Sequence, residues 1–110
     1  MEPARQDSLA EAMDRLWARF LPQLEERVAT LESAAAALAQ GNLVSTQREQ
    51  ASEVAHKLAG VLGTFGLEEG TSLAREMELA YSGDSHADSA AAERLSQIAS
   101  QLRVMLAGRK

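Results

Sequence analysis

Apolar residues recur along this chain at spacings of three and four, the repeat of a helix that buries one face. In the first such stretch Leu9, Met13, Leu16 and Phe20 form a stripe, preceded by Ser8 and Glu11 at capping-box spacing. Pro22 either ends that helix or opens a new one as its first residue, where a missing N–H costs nothing. Leu21, Leu24, Val28, Leu31, Ala35 and Leu38 follow as a heptad-like run suited to a long bundle helix, and Gly41-Asn42 stops it. The pattern resumes near Ser45 or Thr46, where Thr46 and Glu49 repeat the capping-box spacing, and predicts a helix to about Phe65, before Gly66. Its apolar face is Ala51, Val54, Ala55, Leu58, Val61, Leu62 and Phe65. A further helix from about Leu67 to Tyr81 sets Leu73, Met77 and Ala80 on one side and leaves Glu69, Arg75, Glu76 and Glu78 to water. After the turn-rich Ser82-Gly83-Asp84-Ser85-His86, Leu95, Ile98, Leu102 and Met105 define a last helix ending at Gly108.

No segment reads as a strand, so the fold class is all-α. Short connections between amphipathic helices make neighbours antiparallel. The expectation is an up-down antiparallel four-helix bundle with an additional short N-terminal helix, a single domain over residues 1–110. Ala34 to Ala37 lie inside the heptad pattern and fit close helix packing rather than low-complexity disorder.

Composition agrees and narrows the function. The 110 residues are too few for a complete ATP-dependent kinase, and 45% hydrophobic with only 4% aromatic favours helix over sheet. A net charge of -5 argues against a nucleic-acid or anionic-membrane surface and leaves proteins as the expected partners. The absence of cysteine excludes disulfides, thiolate metal sites and cysteine nucleophiles. Met1 to Gln6 lack the layout of a secretory signal and no apolar run approaches a membrane span, so the expected location is the cytoplasm.

One helical face is not explained by a core. With about 100° per residue and Val54 at zero, Ala51, Leu58, Val61, Leu62 and Phe65 fall within about 80°, whereas His56 falls near 200°. Gly60 and Gly63 lie at about 240° and 180°, with Ser52 and Ala59 near 160° and 140°. Each helical glycine costs roughly 1 kcal/mol relative to alanine. Two of them beside an exposed histidine either clear an approach to the imidazole or let another helix pack closely. An accessible neutral imidazole is a competent nucleophile that can carry a phosphoryl group, and that chemistry needs in-line positioning and charge stabilisation more than covalent help. Lys57, at about 300°, is a candidate to stabilise phosphoryl oxygens, and Glu53 to orient the ring. Both also read as ordinary surface residues. His86 with Asp84 and Asp88 has the ingredients of a metal site, but a polar turn explains all three and no metal is expected.

The run Ala55-His56-Lys57-Leu58-Ala59-Gly60, then Gly63, Gly66, Leu67 and an acidic helix, resembles the histidine phosphotransfer (HPt) domain family and its HxLKG pattern. The resemblance implies a histidine on a four-helix bundle that exchanges phosphoryl groups with an aspartate of a receiver domain. It places that role on His56 and the clearance for docking on Gly60, with Ser52, Glu53, Ala59 and Gly63 around them. It implies a phosphocarrier without autokinase activity in a two-component phosphorelay. The partner would be the receiver of a hybrid histidine kinase or response regulator. No cofactor is implied for this chain, Mg²⁺ being expected on the receiver only. The sequence departs from the family where Ala59 stands in place of its usual lysine, leaving Lys57 as the only basic residue of the motif. Two other readings remain from sequence: a non-catalytic helical protein-protein interaction module using the same face, and a helical oligomerisation domain built on the heptad from Leu21 to Leu38.

Overall fold

The computed structural model describes residues 2–82 and 88–109, with side chains from residue 9 onward. Four helices follow in order: α1 (Glu2–Ala39), α2 (Ser45–Thr64), α3 (Glu68–Tyr81) and α4 (Ser89–Gly108). Each packs on the next and α4 returns to α1. Neighbours are antiparallel, as the α2–α3 pairs Ser52 with Glu78 and Ala59 with Thr71 demonstrate. Arg94 to Glu76 and Arg103 to Glu32, both bidentate, tie α4 to α3 and α1. Among the described residues the core is wholly apolar.

The expected short N-terminal helix does not exist as a separate element. α1 is continuous through Pro22, and the sequence position chosen for a break is an interior residue. Two facts explain this. Trp17, Leu21, Leu24, Val28, Leu31, Ala35 and Leu38 form one uninterrupted heptad stripe across the proline, with all but half-buried Leu21 in the core. The carbonyl that Pro22 leaves without a donor is that of Ala18, and both residues are exposed, so water can replace the lost bond. The stripe is also shifted: Trp17 is buried while Leu9, Leu16 and Phe20 are exposed.

Helix ends follow local chemistry, though not always at the expected residues. Gly41 and Gly66 both have φ of 75°. At each, paired bonds close a Schellman turn: Asn42 N to Ala37 O with Gly41 N to Leu38 O, and Leu67 N to Leu62 O with Gly66 N to Gly63 O. A side chain other than glycine would be strained at both. The two expected capping boxes are not formed. Ser8 lies inside α1, and α2 starts after Val44 without a side-chain cap. α4 does have one, because Asp88 accepts from the backbone N–H groups of Ala90 and Ala91. Asp84 and His86, considered with Asp88 as metal ligands, fall outside the described residues, and Asp88 is engaged as this cap.

Candidate functional site

The α2–α3 pair carries the candidate face. The buried positions of α2 are Ala51, Ala55, Leu58, Ala59 and Leu62. Their centre lies roughly 90° round from Val54, so the core-facing side is rotated from the sequence expectation. Val54, Val61 and Phe65 are half-buried on the flank toward α1, where Phe65 meets Trp17 edge-on at 5.1 Å and Phe20 at 6.2 Å. Small residues explain the rotation. Ala55 and Ala59 can sit at the α2–α3 seam where larger side chains would hold the helices apart.

His56 projects from α2 with its side chain 68% exposed. Its Nδ1 lies 2.9 Å from Glu78 Oε2 of α3. A carboxylate only accepts, so the ring donates through Nδ1–H, which in the neutral tautomer puts the lone pair on Nε2. Glu78 is fixed in turn by its backbone, whose carbonyl accepts from Ser52 Oγ at 3.3 Å. The polar groups meet in an open groove bordered by Ser52, Glu53, His56, Glu78 and Tyr81. Tyr81 is buried, and its hydroxyl has no hydrogen-bond partner among the described residues. Burial pushes its phenol up to about 12, with the nearby Arg48 charge acting the other way.

Of the residues picked out from sequence, Ser52, Glu53, His56, Gly60 and Gly63 share this side of α2, but their connections differ from expectation. Glu53 does not orient the imidazole. It faces Lys57, whose amine is 3.8 Å from Glu53 Oε1. Ala59 is not on the open face; it is 2% exposed, and its carbonyl accepts from Thr71 Oγ1. Its side chain is therefore unavailable to a partner. The glycines also divide. A methyl built on Gly60 meets nothing within 4 Å, so no neighbouring helix requires a glycine there. On Gly63 it meets Thr71 Oγ1 at 3.6 Å, an ordinary contact. Close helix packing instead involves Gly70 of α3, where the same methyl would approach Met105 Sδ to 2.7 Å and Leu62 Cδ1 to 3.0 Å.

Glu78 was missed as a partner of the histidine. From sequence it is a water-facing residue of its helix, since a contact 22 residues away depends on helix pairing rather than local spacing. No group of acidic and histidine side chains among the described residues could hold a metal ion. Nor is any described helix long and apolar enough to cross a membrane.

A family model described as "Hpt domain" matches residues 15–107. The chain is also 38% identical over 66 residues to "Protein RcaC" of Microchaete diplosiphon. That similarity covers 60% of this chain but 10% of the relative, so the chain spans only a small part of that protein's length. No solved structure matches.

Proposed function

The chain belongs to the Hpt domain family, whose members work by histidine phosphotransfer in phosphorelays, and on that premise we propose that His56 is the residue that carries the phosphoryl group. The observation that carries this reading is the state of the ring: Nδ1 is held by Glu78 and the side chain is 68% exposed. Gly60 adds open space one turn away on the same helix.

In the proposed reaction the Nε2 lone pair attacks the phosphorus of a receiver's aspartyl phosphate. An N–P bond forms, the P–O bond to the aspartate breaks, and the electron pair leaves with the receiver's carboxylate. The proton stays on Nδ1, so the ring becomes a phosphorylated imidazolium whose positive charge lies against the Glu78 carboxylate. The reverse step returns the group to an aspartate and restores the neutral ring. Glu78 thus sets which nitrogen reacts and stabilises the charge created when it does.

The partner in this reading is the receiver domain of a hybrid histidine kinase or response regulator in the cytoplasm, docking over Ser52, His56, Gly60 and Gly63. Any Mg²⁺ the transfer uses would be held by the receiver's carboxylates, where it would shield charge on the transferred group. The chain acts as a phosphocarrier and makes no phosphate of its own.

Incubation with labelled, phosphorylated receivers of the source organism tests the reading. Acid-labile label should appear on the chain and be absent from His56→Gln. Label retained by His56→Gln overturns the assignment. Tight partner binding indifferent to that substitution, with no transfer from any receiver, would instead establish an interaction module.

A further inference from the structure

A phosphoryl group on His56 brings negative charge to a site whose nearest fixed partner, Glu78, is itself a carboxylate. Stabilising the transferring oxygens requires a cation on the open side of the ring. Lys57 stands on the flank of α2 away from α3 and is oriented toward Glu53. Arg48 borders the same groove, but it lies two turns before His56, roughly 12 Å along the helix axis, half-buried near Tyr81. Arg94 and Arg103 are committed to bidentate pairs on other seams.

α3 contains one basic residue, Arg75. Its position is defined by two observed contacts with α2. Four residues before it, Thr71 donates to the Ala59 carbonyl; three residues after it, Glu78 holds His56. Spacings of four and three put Arg75 on the same rim of α3 as both, facing the level of α2 between Ala59 and His56. It is about 4.5 Å of helix rise from Glu78, less than the reach of an extended arginine side chain. Arg75 is exposed and makes no ion pair among the described residues. One turn beyond His56, Gly60 is exposed and even an added methyl there would meet nothing within 4 Å, so that flank of the imidazole is open.

We infer that Arg75 supplies the cation for the phosphoryl group on His56, reaching across the α2–α3 seam from the opposite helix. The inference rests on His56 being the phosphoacceptor. A guanidinium suits the role because its forked N–H groups can bind two phosphoryl oxygens at once. Glu78, the nearest competitor on the same rim, already accepts from the imidazole.

Single-turnover transfer from a phosphorylated receiver, measured over a range of receiver concentrations, tests it on Arg75→Ala, Arg75→Lys and Lys57→Ala. Arg75→Ala should lower the rate at saturating receiver by about tenfold or more, the value of one charged hydrogen bond. Arg75→Lys should recover part of it, and Lys57→Ala should stay within about twofold of the parent, as expected for an exposed, weakly paired lysine. A parent-like saturating rate in Arg75→Ala overturns the inference, as does a loss confined to the half-saturating concentration, which would make Arg75 a docking residue only. His56→Gln is run beside them: if it still takes label, the phosphoacceptor assignment itself fails. A parent-like Arg75→Ala with an inert His56→Gln removes Arg75 alone.

Discussion

Glu78 Oε2 accepts a hydrogen bond from His56 Nδ1 at 2.9 Å, joining two antiparallel helices at the one histidine that α2 contains. Removing the acceptor frees the ring to turn and lets its proton reside on either nitrogen. Glu78→Ala should therefore slow transfer by about tenfold, the equivalent of a hydrogen bond worth about 1.4 kcal/mol. Glu78→Gln, which keeps a carbonyl acceptor but not the charge, should fall between. Nitrogen chemical shifts of His56 report the tautomer directly, and a parent-like tautomer in Glu78→Ala would refute this role.

Gly60 should behave as a residue kept against stability. Since a methyl there meets no neighbour, Gly60→Ala is expected to stabilise the fold by roughly 0.5–1 kcal/mol. The same methyl should weaken receiver binding. Urea unfolding together with a receiver titration checks both, and a destabilised variant would contradict the open space around Gly60.

Tyr81 makes stability fall at alkaline pH. Its phenol is held up to about 12 in the fold against an ordinary value of 10.0. Below the ordinary value both folded and unfolded chains keep the proton and the contribution is constant. Between the two values the unfolded chain loses it first, so stability declines as pH rises. Tyr81→Phe should remove this part of the slope, at little cost near neutrality because the hydroxyl has no partner among the described residues. Chemical denaturation across that range measures it, and an unchanged slope would count against it.

Glu32 gives the opposite dependence. Its bidentate bond to Arg103 holds the carboxyl below its ordinary value of 4.5, with burial opposing. The stabilisation is complete above that value and is lost as pH falls through the lower folded one. Both side chains are more than a third exposed, so solvent screening limits the effect to about 0.2–1 kcal/mol. Glu32→Gln should be less stable than the parent near pH 7, with the gap closing in acid. A gap that persists at low pH would assign the effect to packing.

Pro22 interrupts the hydrogen bonding of α1 on its exposed side. Pro22→Ala restores a donor for the Ala18 carbonyl and should raise stability by about 1–3 kcal/mol, up to the full propensity difference. Thermal unfolding checks this. Because water can reach the Ala18 carbonyl, the gain comes chiefly from helix propensity, and a neutral or destabilised variant would show that the proline costs α1 nothing at this position.

Most of the fold was legible because it is written in local patterns. Gly41 and Gly66 marked their helix ends, since both turns need a positive φ that glycine adopts freely. Pro22 misled because a breaker is a local signal, while the heptad running from Trp17 to Leu38 is a packing signal, and packing prevailed. His56 was found through its helical phase, and its exposure agrees. Ala59 was misplaced because an alanine carries too little hydrophobic signal to reveal that it lies at a seam. Glu78 escaped because its importance comes from a facing helix, and the phase of one helix says nothing about which residue of the next lies opposite.

The aromatic cluster at the other end of α2 has a practical consequence. Trp17, the single tryptophan of the chain, is 3% exposed, stacked edge-on with Phe65 and covered by the Arg109 guanidinium at 4.9 Å. Phe65 follows His56 by nine residues, roughly 13 Å along the helix. The indole is thus an intrinsic fluorophore placed where α1, α2 and the end of α4 converge, and away from the imidazole. Its emission should shift toward the red when the bundle opens and remain steady when only the histidine is modified. Folding and phosphorylation can thereby be followed separately in one unlabelled sample.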